Sequence, residues 1–138
     1  MSELVDFMGK PYRITPHPGQ WTLLYFWQTS CAPCVSEGIP KLMNFAKSHT
    51  DQRARFSIAA VHTNDPGQPQ KDFLAKTLWL ESNVWRGVPS FPLVLDESGK
   101  MTAAWSIESL PTIALIDGQG NLVRGGNLHK LEEVLASH

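Results

Sequence analysis

The feature that most constrains this chain is a handover from one kind of periodicity to another. Residues 21–27, Trp-Thr-Leu-Leu-Tyr-Phe-Trp, form a nearly continuous apolar and aromatic run, the pattern of a strand buried on both faces. A short polar stretch leads to Cys31-Ala-Pro-Cys34. Then Val35, Ile39, Leu42, Met43 and Ala46 fall at i, i+4, i+7, i+8 and i+11, the apolar stripe of a helix. Both cysteines of the chain therefore sit where a strand gives way to a helix. Their spacing puts them on one face of its first turn, with Cβ atoms about 5–6 Å apart and near disulfide reach.

That position sets reactivity. The amides of a first turn have no intrahelical partner and the helix dipole adds positive potential, so a thiolate is favoured over a thiol at Cys31. A thiol with pKa near 8.5 is only about 3% ionised at pH 7, whereas one lowered to about 7 is half ionised, a difference of roughly 2 kcal/mol. Cys31 is expected to be the exposed attacker. Cys34, one turn further in, is expected to be shielded and to resolve a mixed disulfide.

A chain of 138 residues suits one domain, residues 1–138, with a core that needs no staples. The net charge of -1, from 12 basic and 13 acidic residues, offers no field to draw in nucleic acid or an anionic membrane. Two cysteines are too few for a disulfide scaffold. Structural zinc would need two more ligands, which no second Cys-x-x-Cys or paired-histidine spacing supplies. No metal is expected, and no cofactor beyond the cysteine pair. The first ten residues hold two acids and no apolar core long enough for a signal peptide, and no stretch approaches a spanning helix. As it stands the chain is expected to be cytoplasmic, or periplasmic or extracytoplasmic if a leader has been removed.

Residues 11–15 read as a short edge strand and residues 16–20 as a loop. A helix is expected over about residues 32–49, then a second buried strand over 55–61, ended by a loop at 62–67. Gln70–Asn83 reads as a helix with Phe73, Leu74 and Leu78 on one side. Residues 91–95 are a third apolar run, and residues 103–107 a helical turn. The strand at 113–116 is turned by Asp117-Gly-Gln-Gly120 into residues 122–124, an antiparallel hairpin. Asn127 is placed to cap a last helix that buries Leu128, Leu131, Val134 and Leu135. Strands alternating with helices, then a hairpin and a terminal helix, make a mixed-sheet α/β domain.

Four stretches carry a resemblance. Phe26-Trp27-x-x-x-Cys31-Ala-Pro-Cys34, Glu37, Phe91-Pro-Leu-Val-Leu-Asp96-x-x-Gly99 and Leu110-Pro111-Thr112-x-x-Leu115-Ile116-Asp117-x-x-Gly120 together resemble the thioredoxin superfamily, and within it the TlpA/ResA-like thiol-disulfide oxidoreductases. A lone Cys-x-x-Cys is widely shared, but a Leu-Pro-Thr entering a strand about eighty residues later makes the pattern specific. The resemblance implies a thioredoxin-like fold, a central mixed sheet flanked by helices, with the cysteines at the carboxyl edge. It implies Pro111 in the cis form beside them and substrate backbone pairing with Leu110. It also implies an extra strand and helix, within residues 73–95, between the second core strand and the cis-proline strand. Two positions depart from the pattern. Tyr25 stands where plain thioredoxins carry a buried aspartate, and Pro40 lies six residues after Cys34 where the family's helix proline lies five after. Glycine at 38 makes room for the shifted proline.

The expected function is thiol-disulfide exchange with partner proteins, in the reducing direction, since Ala-Pro between the cysteines resembles the proline-bearing reductants. Cys31 attacks and Cys34 resolves. Glu37, three residues after Cys34 like the acid of the TlpA-like group, is either a proton carrier for Cys34 or an ordinary solvated acid. Leu110, Pro111 and Pro33 are expected to flank the substrate, and Trp27 to be both core and a wall near the disulfide. Trp79, Trp85 and Trp105 are expected to pack, and His62 to lie on the surface. The partners implied are protein disulfides or dithiols and an upstream electron donor, with the chain a monomer. The alternatives are a thiol peroxidase, because Thr29-Ser30-Cys31 faintly resembles a peroxidatic loop, or a non-enzymatic thioredoxin-like binding or copper-carrying module using Cys31, Cys34 and one histidine.

Overall fold

The computed structural model describes residues 4–6, 9–14, 17–63 and 70–137. Their strands are β1 (Leu4–Asp6), β2 (Pro11–Tyr12), β3 (Trp21–Trp27), β4 (Phe56–Thr63), β5 (Leu93–Asp96), β6 (Thr112–Ile116) and β7 (Leu122–Val123). They form one mixed sheet in the order β2-β1-β5-β4-β3-β6-β7. The helices are α1 (Ile39–Ser48), α2 (Gln70–Asn83), α3 (Lys100–Ala104) and α4 (Leu128–Ala136), with a distorted segment, Cys34–Gly38, leading into α1. This is the thioredoxin-like arrangement, with α2, β5 and α3 falling between β4 and β6 along the chain.

β3 lies inside the sheet, parallel to β4 and antiparallel to β6. Its residues alternate between two cores, and all but the first are buried, which is why the run reads as continuous rather than alternating. Leu23, Tyr25 and Trp27 join Phe56, Ile58 and Ala60 of β4 under α1, α2 and α4. Leu24 and Phe26 join Ala59, Val61, Val94 and Leu4 on the opposite face, closed by Met101 of α3.

Several boundaries differ from the sequence reading, each for a tertiary reason. β1 was not foreseen. Three residues carry no measurable period, and β1 forms because the edge of β5 offers it an antiparallel ladder, Leu4 opposite Asp96. β4 runs on through His62 and Thr63, where a loop was expected, because both strands beside it continue: His62 pairs with Trp27 and Leu95, and Thr63 with Asp96. The expected edge strand at 11–15 is two residues long. Thr15 of that expected strand, and Pro16 and residues 64–67 of the expected loops, lie outside the described residues.

α2 has the expected bounds but a different buried face. Phe73, Thr77 and Leu80 point inward, whereas Leu78 is 48% and Trp79 59% exposed. α3 starts earlier than expected because Asp96 reaches under it, Oδ2 accepting both the Thr102 N–H and its Oγ1–H at 2.7 Å. α4 is capped as expected, Asn127 Oδ1 accepting the Lys130 N–H at 2.8 Å, with Leu131 and Leu135 buried and Leu128 and Val134 half-buried. Its far end is satisfied from another part of the chain. Gln52 Nε2 and Arg55 Nη1 donate to the Leu135 carbonyl at 2.9 and 3.1 Å, and Arg55 Nη2 to the Val134 carbonyl at 3.3 Å, so two carbonyls of the last turn gain side-chain donors.

Candidate active site

β3 ends at Trp27 and the chain turns out of the sheet, Cys31 N–H bonding back to the Gln28 carbonyl at 3.1 Å. Helical turns begin at once, Val35 N–H donating to the Cys31 carbonyl at 3.2 Å. Cys31 and Cys34 are joined as a disulfide with Cα atoms 5.2 Å apart, and the Cys34 N–H points at Cys31 Sγ at 3.3 Å. The two sulfurs are not equivalent. Cys34 has no exposed surface, while Cys31 is half-buried. Ser30, Ala32 and Pro33 around Cys31 are exposed. Across the sheet edge, the pairing of Phe26 with Thr112 carries Pro111 to the level of Trp27. Pro111 is exposed, Leu110 is half-buried, and the peptide bond between them is cis.

The helix behind the disulfide does not start regularly. Over Cys34–Gly38 it is a π-helix, with Ile39 N–H donating to the Cys34 carbonyl five residues back. A π-turn holds one residue more than an α-turn. The turn therefore accommodates one residue more between Cys34 and Pro40 than a regular α-helical turn would.

Two aromatic side chains hold this turn open. A Cβ on Gly38 would overlap Tyr25 Oη and lie 2.6 Å from its Cζ, so the phenol occupies the room that glycine leaves. From there it donates to the Cys34 carbonyl at 3.0 Å. Pro40 has no N–H to offer the Val35 carbonyl, its π-register acceptor, and Trp85 Nε1–H takes that role at 2.8 Å. Burial pushes the Tyr25 pKa up to about 12, which keeps it a donor throughout the neutral range.

On the other side of Trp27 stands His62, 2% exposed. Its Nε2 accepts the Thr29 N–H at 3.0 Å, two residues ahead of Cys31. The ring meets Trp27 and Phe73 edge-on, with centroids 5.1 Å away from each. Burial is the main cause pushing its pKa down to about 4; the adjacent Thr63 and His62 backbone opposes it, and the charge of Lys76 acts in the same direction as burial.

A disulfide at a strand-to-helix junction, beside a proline of the neighbouring antiparallel strand, matches a known architecture. The model of a thioredoxin-like family matches residues 19–122. The chain belongs to this thioredoxin-like family. Over 119 residues it is 29% identical to the thiol-disulfide oxidoreductase ResA of Geobacillus thermodenitrificans, covering 86% of this chain and 61% of that one. Over 108 residues it is 27% identical to the sporulation thiol-disulfide oxidoreductase A of Bacillus subtilis, covering 78% and 59%. The chain thus spans about six tenths of the length of these relatives. The thiol:disulfide interchange protein DsbE of Xylella fastidiosa is 31% identical over 96% of this chain and 54% of its own length. Among solved structures, the exposed lipoprotein thioredoxin Etrx1 of Streptococcus pneumoniae superposes with a TM-score of 0.69 at 26% identity, covering 99% and 98% of the two chains. A secreted disulfide oxidoreductase of Mycobacterium tuberculosis, at 16% identity and TM-score 0.67 over 97% and 93%, shares the fold.

Within this thioredoxin-like site the residues singled out from the sequence are distributed unevenly. Cys31, Cys34, Pro33, Leu110 and Pro111 lie at the carboxyl edge of the sheet. Trp27 lies there too but has no exposed surface, so it stands behind the pair as core and presents no face to a substrate. Glu37 is exposed; the wide π-turn carries it further round the axis from Cys34 than an α-turn would. His62 is buried, not on the surface, because β4 extends to include it. Trp85 packs as expected and also donates a hydrogen bond. Sequence reasoning missed the joint role of Tyr25, Gly38 and Trp85. The extra residue between Glu37 and Pro40, with a glycine in it, was the available signal for a π-turn. His62 had no such signal, since Thr29 is its partner only through the sheet register.

Proposed function

We propose that this chain is a thiol-disulfide oxidoreductase that reduces disulfides of partner proteins. The observation that carries the reading is the inequality of the two sulfurs, Cys34 fully buried and Cys31 at an exposed rim. Names of relatives such as ResA and DsbE support the reaction class. In the dithiol form the Cys31 thiolate, favoured by the helix amino end, attacks one sulfur of the substrate disulfide. A mixed disulfide forms and the other substrate sulfur leaves as a thiolate that takes up a proton. Substrate backbone lies along Leu110, with Pro111 and Pro33 on either side.

Cys34 then gives its proton to water or to Glu37 on the solvent side. Its thiolate attacks Cys31, breaking the mixed disulfide, and the second substrate sulfur leaves as a thiol. An upstream donor returns two electrons and two protons to the Cys31–Cys34 disulfide. One copy of the chain supplies both cysteines, so a monomer suffices. The similar pneumococcal protein described as an exposed lipoprotein supports an extracytoplasmic setting. The copper-carrying alternative is disfavoured at His62, the histidine that touches the cysteine loop, because its accepting nitrogen is already engaged.

The test is a Cys31→Ser variant assayed for reduction of a protein disulfide, together with the reduction potential of the parent pair. Turnover is expected to fall to background, with a parent potential near -270 mV rather than near -120 mV. Reduction by Cys31→Ser at the parent's rate would rule the mechanism out, and a potential near the oxidising end would reverse the direction.

A further inference from the structure

His62 stands between the sheet and the loop that delivers the attacking cysteine. Strand pairing fixes its backbone between Trp27 and Leu95. From that fixed point Nε2 accepts the Thr29 N–H, inside the turn that Cys31 closes by bonding to Gln28. A backbone N–H can only donate, so Nε2 is the bare nitrogen. The ring is therefore neutral and carries its proton on Nδ1. Nδ1 is buried and finds no hydrogen-bond partner among the described residues. An imidazolium could not make the Thr29 bond, and it would bury a charge against Trp27 and Phe73, which offer none in return. Lys76, on α2, adds a further positive charge on that side.

We propose that His62 is a positioning residue: as a neutral imidazole it tethers residues 28–30 to the sheet and so holds Cys31 Sγ at the helix start. The consequence for turnover rests on the oxidoreductase reading, but the tether does not. A buried ring whose one accepting nitrogen is taken by the backbone moves no proton in the exchange. Its contribution is to remove freedom from the segment that carries the nucleophile. It does so in one protonation state only, so the loop acquires a sensitivity to acid that belongs to neither cysteine.

Two variants separate tethering from space-filling. His62→Gln places an amide oxygen near the position of Nε2 without a titratable ring, and His62→Phe fills the space with no acceptor. Three quantities are read on the full chain: the Thr29 amide exchange rate, the ring nitrogen shifts of His62, and the alkylation rate of reduced Cys31 by iodoacetamide against pH. The parent ring is expected in the neutral Nδ1–H form at pH 7. Thr29 exchange is expected about tenfold faster in His62→Phe, the worth of one hydrogen bond, and restored in His62→Gln. The alkylation profile of Cys31 is expected to shift in His62→Phe and return in His62→Gln. On acidification, Thr29 protection is expected to be lost in the parent and kept in His62→Gln, a comparison that decides the question even where His62→Phe does not fold. An Nε2–H tautomer, or unchanged Thr29 exchange and Cys31 alkylation in His62→Phe, would overturn the tether. These readouts need no disulfide substrate. An intact tether in a protein that reduces no protein disulfide would support the tether and sink the functional reading instead.

Discussion

On the face of the sheet covered by α1 and α2, aromatic rings bring polar atoms into the core: Tyr25 Oη, Trp85 Nε1 and the His62 imidazole. On the opposite face Leu24, Phe26, Val61, Val94 and Met101 pack without such handles; the buried polar side chains there are Thr22, Thr63 and Asp96, the last of which caps α3 from beneath. Among the described residues, Trp27 Nε1, His62 Nδ1 and Thr77 Oγ1 are buried without a partner on the first face, against Asp96 Oδ1 on the second. Buried polar atoms cost stability unless they are satisfied. The face that tolerates more of that cost is the one whose helix departs from regular geometry beside the disulfide. Polar rings there brace the π-turn through hydrogen bonds to its carbonyls, whereas the packing opposite is mainly apolar contact.

The sharpest way to break this contrast is at Gly38. Gly38→Ala drives a methyl group into the Tyr25 ring and is expected to destabilise by about 3 kcal/mol, the upper end for overpacking. Gly87→Ala, whose Cβ would meet Met43 Cε at 3.7 Å, is expected to change stability by less than about 0.5 kcal/mol. Equal midpoints for the two variants in urea unfolding would mean that the π-turn is not held by the phenol.

Acid is the next lever. The His62 pKa is lowered from 6.5 to about 4, so between those values the unfolded state binds the proton that the folded state refuses. Stability is therefore highest above pH 6.5 and falls as pH drops toward about 4. The full shift corresponds to roughly 3 kcal/mol, of which loosening of residues 28–30 relieves part, leaving about 2 kcal/mol. Unfolding measured across that window should show this slope in the parent and lose it in His62→Gln. A slope that survives the substitution would assign it to other groups.

The smallest effects separate the two carbonyl partners. Trp85→Phe leaves the Val35 carbonyl without a donor and is expected to cost about 1–2 kcal/mol. Tyr25→Phe is expected to cost about 1 kcal/mol or less, since the Cys34 carbonyl keeps the Ile39 N–H. The reverse ranking would place the main support of the turn at Tyr25.

What the amino-acid order by itself determined is whatever depends on neighbours within a turn or a strand. The buried run at 21–27, the bounds of α2, the Asn127 cap and the placing of two cysteines one turn apart all follow from local period and local hydrogen bonding. Tertiary structure decided the rest, because the deciding partners lie far along the chain. His62 finds Thr29 at a separation of 33 residues, Trp85 finds Val35 at 50, and Arg55 finds Leu135 at 80. β1 exists because β5 and β2 lend it ladders, and Leu78 faces water because the packing of α2 selected Phe73, Thr77 and Leu80. A composition pattern can say that a side chain wants burial or a partner. Only the folded sheet, by bringing β3, β4 and β6 to a common edge, settles which of several candidates receives it.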